Sequence, residues 1–340
     1  MNYENKTLSA TKNLPIKHIG KIHNGKVRSV YWLGKRQSHK LIKNLAYDIY
    51  DKSELGVMVV SDRISAFDVI WRGEEGLQGV PNKGAVLNQF SEYWFKEFKN
   101  RGCGNNHLVE SPHPLLWIVQ KAEPLKVEGI MREYITGSMW RAYEGGKREF
   151  GGNILPDGLQ KNQKIGRIFT PSTKGTLRGI PDVPEREDVT ISYETVRKNY
   201  KAFGFKDVAD IAKSKEMLRT AFSVNSMILN MYDYLFVDDK KEQGYIINKQ
   251  GQTELCFIDE VASPDSSRIW EKNQYLKEGK AVESSKEPFR QFLLNTLDRD
   301  ILLNKDRMPE RRELAKNYEV PVEQMFNLSK VYVKLCELVT

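Results

Sequence analysis

Cysteine is scarce: Cys103, Cys256 and Cys336 are the only three, an odd number set far apart with no C-x-x-C spacing. Neither a disulfide framework nor a cysteine zinc site is expected from them. Histidine is scarce too. His18, His23, His39, His107 and His113 show no H-E-x-x-H spacing, which removes that class of metal site. No apolar run approaches the roughly 20 residues of a membrane helix, so no membrane partner is expected. The opening MNYENKTLSATKNL lacks the basic start and apolar stretch of a secretory signal, and the expected compartment is the cytoplasm. Internal repeats and low-complexity tracts are also missing.

What is present is ordinary for a globular protein: 340 residues, 40% hydrophobic and 29% charged, enough for two lobes or one large body. Lys and Arg number 53 against 45 Asp and Glu, a net +8 that favours an anionic partner. Charge alone leaves open whether that partner is a nucleic acid or a phosphorylated small molecule.

The chain reads as strand-rich first and helix-rich later. VRSVYWL (27–33) and LGVMVVS (55–61) are β-branched or aromatic runs that predict buried strands. The polar insertion between them, 34–54, carries Leu41, Leu45 and Ile49 at helical spacing. Leu87, Phe90, Trp94 and Phe98 mark a helix after the turn PNKG, and strands follow at LLWIVQK (115–121) and VEGIMREY (127–134). Pro124 and neighbouring charges interrupt the last two, which places a lobe boundary near 122 and gives lobes 1–122 and 123–340. The Gly-, Pro- and charge-rich stretch 144–190 is too long for a connector and reads as a binding loop. A helix is predicted over Ser214–Leu235, a strand pair around YIIN (245–248) and ELCFIDE (254–260), and a closing helix with Met325, Leu328, Tyr332, Leu335 and Val339 on one face.

Five strings carry candidate chemistry. In HNGKVRSVY, Lys26 and Arg28 are two apart on a strand, so both reach one face, and a glycine turn precedes them. A solvated basic strand is the alternative. In VVSDRISAFDV an apolar strand ends abruptly in Ser61, Asp62 and Arg63, where α/β proteins place ligand contacts; equally, Asp62 caps the next segment and Arg63 pairs locally. In MREYITGSMW, Arg132 lies inside an apolar strand, where a phosphate or carboxylate is its best partner, and Gly137 and Ser138 supply donors beside it. FTPSTKG offers Lys174 among hydroxyls, as an anion cradle or an exposed loop. Finally, VDDKKEQG and CFIDEVASPDSSR place Glu242 and Asp259 near the ends of adjacent strands. Two convergent carboxylates suit Mg²⁺ on nucleotide phosphates; a surface ion pair for Asp259 or Glu260 is the alternative. Asp265, Ser266, Ser267 and Arg268 then form a tight anion-binding type of loop.

In order, GKVRSVY, SDRISAFDV, PNKGAVLNQFSEYWF, R-x-Y-ITGSMWRAY, FTPSTKG, D-x-K-x-E-x-G and IDEVASPDSSRIW resemble the successive motifs of the SAICAR synthetase family, over most of residues 20–298. The resemblance implies an α+β two-lobe fold: an N-terminal antiparallel sheet, a larger C-terminal lobe, and the nucleotide between them. It also implies an ATP-dependent ligase joining L-aspartate to the carboxylate of carboxyaminoimidazole ribonucleotide (CAIR) in purine biosynthesis, with ATP and Mg²⁺ required. By the same resemblance Gly25, Lys26, Val27 and Arg28 belong to the loop over the ATP phosphates, and Lys121 and Glu128 flank the adenine. Glu242 and Asp259 hold Mg²⁺, with Lys240, Lys174 and Asp188 as catalytic positions. Arg132, Ser138, Ser266, Ser267, Arg268, Arg290, Asp62 and Arg63 fall to substrate binding.

Departures from the family pattern accompany the match. K-F-E-F-G reads KKEQG, with Lys241 and Gln243 in place of two aromatics; H-D-x-x-I-S reads EDVTIS, with Glu187 for the histidine; and R-G-Y reads REY, with Glu133 beside Arg132. A catalytically silent relative would suit these changes, but Glu242, Asp259, Arg132 and Arg268 are retained. A nucleic-acid-binding module would suit +8, yet the basic residues are scattered rather than clustered with aromatics, so small-molecule partners are expected and nucleic acid is not. The sequence leaves monomer or homo-oligomer open.

Overall fold

The computed structural model describes residues 7–340; the first six residues of the MNYENKTLSATKNL stretch lie outside the described residues. The chain divides into two units. One takes residues up to Glu92, Leu108–Lys121 and Glu283–Thr340; the other takes Tyr93–His107 and Ala122–Val282. Among the described residues no helix is long and apolar enough to cross a membrane.

The first unit is built on an antiparallel sheet with strand order His23–Asn24, Arg28–Trp32, Leu55–Val60, Leu116–Gln120, Leu108–His113. The apolar runs form its centre because every residue of Leu55–Val60 is buried. Tyr31, Leu55, Val57, Val59 and Ile118 make one core cluster, and the 34–54 insertion contributes to it through Ile42 of the helix Lys35–Asn44.

The C-terminal residues expected in the second lobe belong to this first unit, which corrects the expected extent of 123–340. The cause is long-range pairing that no local pattern encodes. Glu319–Val320 adds in parallel to Val69–Gly73. Buried Arg311 donates to the carbonyl of Phe67 at 2.9 Å, and Ser329 to that of Pro81 at 2.6 Å.

The second unit centres on one strand, Tyr234–Ile247, 14 residues long. It pairs antiparallel with Val127–Tyr134, Thr253–Ile258 and Ser267–Glu271. Here the sequence expectation needs a second correction: the preceding helix is Ala209–Met231 and stops before Leu235. Asp233, at φ +61°, turns the chain in the left-handed region that Asp tolerates. The charged VDDKKEQG then continues as strand because each charge finds a partner on one face or the other.

Candidate functional site

Alternation along the long strand builds the site. Asp238, Lys240 and Glu242 point to one face, and each meets a residue of opposite charge. Asp238 Oδ2 accepts from Arg132 Nη1 at 3.1 Å and from Arg268 Nη1 at 2.6 Å, so one carboxylate holds both guanidiniums. The register places Arg132 and Arg268 directly opposite Asp238 on its two neighbouring strands. Arg132 Nε also donates to Thr170 Oγ1 at 3.1 Å. Burial lowers the Arg132 pKa, and Asp238 opposes that shift. Gly137 is required beside this pair: it sits at φ +58°, and a Cβ there would lie 2.3 Å from Arg268 Nη2.

Lys240 Nζ reaches both oxygens of Glu128, at 3.0 and 2.9 Å. Burial works against the Lys240 charge, but Glu128, Asp188 and Glu260 outweigh it and raise the pKa. Lys174 donates to Glu242 Oε2. Burial pulls the Lys174 ammonium below the ordinary lysine value, against the attraction of Asp259 and Glu128. Lys174 and Asp188 come from the Gly- and Pro-rich stretch, whose Ser172–Thr173 pairs with Val127–Glu128 while Val189 hydrogen-bonds Thr173.

Asp259 follows Ile258, the residue paired with Glu242. Its backbone stands at φ +58°, and its N–H is accepted by His107 Nε2 at 3.1 Å. The sequence reading missed His107, Asp238 and Thr170 as positioning groups. A lone histidine far along the chain carries no local signal, whereas the first Asp of VDD facing an embedded Arg was a readable one.

No group of three or more His, Cys, Asp or Glu side chains is arranged around a common metal position among the described residues. Mg²⁺ does not need one, since one or two carboxylates suffice when phosphates and waters complete the shell. The donor chemistry fits: Glu128, Asp188, Glu242, Asp259 and Glu260 gather around the ammoniums of Lys174 and Lys240, and Glu242 already engages a cationic group.

Other expected residues are placed differently. Ser267 faces the opposite side of the sheet from Asp238, Lys240 and Glu242, its hydroxyl donating to Asp239 Oδ1 at 2.8 Å. Ser266 is held to Ser263 by its N–H at 3.1 Å, and Ser138 is exposed in the first turn of the helix Gly137–Glu144.

In the first unit, Gly25–Val27 is the tip of a hairpin closed by Gly25 N–H to the Arg28 carbonyl at 2.8 Å. Lys26 pairs with Asp68, Arg28 is buried, and Val27 offers its carbonyl to Ser61. Asp62 is 4% exposed. Its two oxygens accept from Leu8 N at 2.7 Å and Gly84 N at 2.8 Å, which makes it an anchor of the helix Lys83–Asn100. Burial raises the Asp62 pKa despite those donors. Arg63 donates to the hydroxyls of Ser61 and Thr11 at 2.9 and 3.1 Å. Lys121 pairs with Glu54 at 2.7 Å and lies over the Trp32 ring, and Arg290 pairs with Glu287 at 3.2 Å.

Comparison with known proteins adds three observations. The sequence pattern of SAICAR synthetase matches residues 21–300. The phosphoribosylaminoimidazole-succinocarboxamide synthases of Vibrio parahaemolyticus and of Shewanella sp. strain ANA-3 are each 51% identical, over 100% of this chain and 93% of those proteins. Among solved structures, the SAICAR synthase of Saccharomyces cerevisiae complexed with SAICAR superposes with a TM-score of 0.65 at 24% identity, covering 94% of each chain. A SAICAR synthetase in complex with ADP gives 0.59 at 18% identity, covering 94% of this chain and 97% of that one.

Proposed function

This chain belongs to the SAICAR synthetase family, and we propose from that premise that it joins L-aspartate to the carboxylate of CAIR at the expense of ATP, in the cytoplasm. The observation that carries the reading is the ordered row on one face of the long strand: Asp238 gripping Arg132 and Arg268, Lys240 on Glu128, and Glu242 on Lys174, with Asp259 next to it.

The chemistry asks for such a row. A carboxylate is a poor electrophile, so an oxygen of the CAIR carboxylate attacks the γ-phosphorus of ATP and ADP leaves. The aspartate amine then attacks the acyl carbon, phosphate departs, and the nitrogen loses its proton. Arg132 and Arg268 bind the phosphate and carboxylate of CAIR, with Ser138 and Ser266 as nearby donors. Lys240 and Lys174 neutralise charge on the transferred phosphoryl group, and Asp188 and Glu128 hold them in place. Glu242 and Asp259 would hold Mg²⁺, which when bound offsets negative charge on the phosphates. Gly25, Lys26, Val27 and Arg28 take the role of the phosphate loop.

A coupled assay of ADP release tests the reading. Release that requires both CAIR and L-aspartate, with SAICAR as product, supports it. ADP release that continues over many turnovers without CAIR or without aspartate at the full rate, or none with all three substrates, refutes it.

A further inference from the structure

The first unit contains a cavity of about 560 Å³, a size typical of small-molecule sites. Five basic side chains line it, Lys26, Arg63, Arg72, Arg312 and Lys316, against one carboxylate, Asp68. That carboxylate is already engaged by Lys26. Among the described residues the other four find no acid. Arg63 is held by two hydroxyls, and Arg72 Nη2 donates to the backbone carbonyl of Lys316 at 2.7 Å. Among the described residues neither Arg312 nor Lys316 makes an ion pair, and both are exposed.

The wall is built rather than incidental. Parallel pairing of Glu319–Val320 with Val69–Gly73 fixes the helix Met308–Asn317 beside Arg72. Buried Arg311 locks that helix by donating to the carbonyls of Ile301, Phe67 and Asn304 at 3.0, 2.9 and 2.8 Å. Arg312 and Lys316, four residues apart, therefore share one helix face over the cavity. Like charges converging in a concave site repel one another until an anion neutralises them, and such a site concentrates anions from solution. Ile70, 36% exposed, and Ala315 give the cavity an apolar wall.

We propose that this cavity is a second anion site for a phosphorylated small molecule of up to nucleotide size. Arg72, Arg312 and Lys316 grip its phosphate oxygens, and its apolar part rests on Ile70. Guanidinium forks match phosphate geometry, which favours a phosphate over a single carboxylate. Lys26 and Arg63 line the same cavity, so it adjoins the loop given the phosphate role, but Arg72, Arg312 and Lys316, which carry the proposal, have no part in the ligase reading.

The test is calorimetric titration of the full chain with inorganic pyrophosphate and, separately, with AMP, comparing the parent with Arg312→Gln/Lys316→Gln. Both positions are exposed, so the fold is not at risk, and a thermal melt checks this. We expect the variant to lose at least about tenfold in pyrophosphate affinity while its KM for ATP stays within about twofold. Binding of AMP as well as pyrophosphate marks an organic phosphate as the ligand; binding of pyrophosphate alone marks the inorganic ion, and either supports the site. Identical pyrophosphate affinity in both proteins overturns the proposal. So does a KM for ATP that rises in step with the pyrophosphate constant, since the residues would then belong to the ATP site. Failure of the ligase reading would show instead as absence of SAICAR, with the pyrophosphate result unaffected.

Discussion

Asp239 and Lys241 form an ion pair sealed inside the second unit, each side chain 1% exposed. They lie two apart on the long strand, on the face opposite Lys240 and Glu242. Lys241 Nζ donates to Asn225 Oδ1 at 3.1 Å and sits 5.4 and 5.7 Å from the ring centres of Phe98 and Phe236. Asp239 takes the second bond from Ser267. Burial pushes the Lys241 ammonium well below the ordinary lysine value. The family pattern has an aromatic at this position, so here a charge pair fills an apolar niche.

Breaking that pair from one side leaves a buried charge alone. Lys241→Met is expected to destabilise the protein by about 3 to 5 kcal/mol, whereas Asp239→Val/Lys241→Met together should be neutral or stabilising by about 1 to 4 kcal/mol. Urea unfolding of the single and double variants measures this. Equal losses in both would show that the pair is not the unit of stability.

Gln243 shares the buried face. Its Oε1 accepts from Ser214 Oγ at 2.5 Å, and its Nε2 lies 3.8 Å from Met217 Sδ. Gln243→Phe, which restores the family's aromatic, removes that acceptor and adds volume, and should cost about 1 to 3 kcal/mol. The Mg²⁺ concentration for half-maximal rate should stay within about twofold, because the side chain does not reach Glu242. A tenfold shift would place position 243 at the site.

Asp238 holds two arginines with one oxygen, and Arg132→Ala removes one of them. CAIR affinity should fall on the order of 30-fold to several thousand-fold, the range for truncating one member of a buried charge pair, with ATP affinity little changed. Asp238→Asn should mimic it more mildly by loosening both guanidiniums. Equal losses toward ATP and CAIR would make Arg132 a structural residue.

Glu242→Gln and Asp259→Asn are expected to abolish turnover while leaving the melting temperature close to that of the parent, by removing a ligand for Mg²⁺. Steady-state rates across a Mg²⁺ series check it. Near-parental rates in both variants at ordinary Mg²⁺ would sink the metal assignment.

The Glu54 carboxyl is held below the ordinary glutamate range chiefly by its hydrogen bond from Lys121. A depressed carboxyl contributes stability above its unfolded value and loses it as pH falls through the folded one. Lys121→Met should therefore cost a few tenths of a kcal/mol, and at most about 1 kcal/mol, at neutral pH, because the pair is solvent-screened. That difference should close below about pH 4. A gap that persists in acid would point to packing of Lys121 on Trp32 instead.

Much of the candidate site was legible because strand periodicity is local. The spacing in VDDKKEQG alone puts 238, 240 and 242 on one face and 239, 241 and 243 on the other, and the structure shows Lys241 and Gln243 buried there. Arg132 inside an apolar strand announced a partner of opposite charge, although not which one. The face Ser267 takes was not legible for the converse reason: a serine in a polar loop string does not reveal which face of the next strand it will join.

The sequence by itself determined the family, the α+β character, the buried strands Arg28–Trp32 and Leu55–Val60, and the placing of Asp238, Lys240 and Glu242 on one strand face. These follow from residue order and short-range pattern, where side-chain chemistry and a period of two suffice. Only the tertiary structure decided that Asp62 anchors a helix, that His107 holds the Asp259 backbone, and that Glu283–Thr340 belongs to the first unit. Those outcomes rest on contacts between residues as much as 250 positions apart, such as Cys336 Sγ with the Val86 carbonyl. Partners so distant are chosen by burial and by the need to satisfy every buried polar group, which acts on the folded chain as a whole.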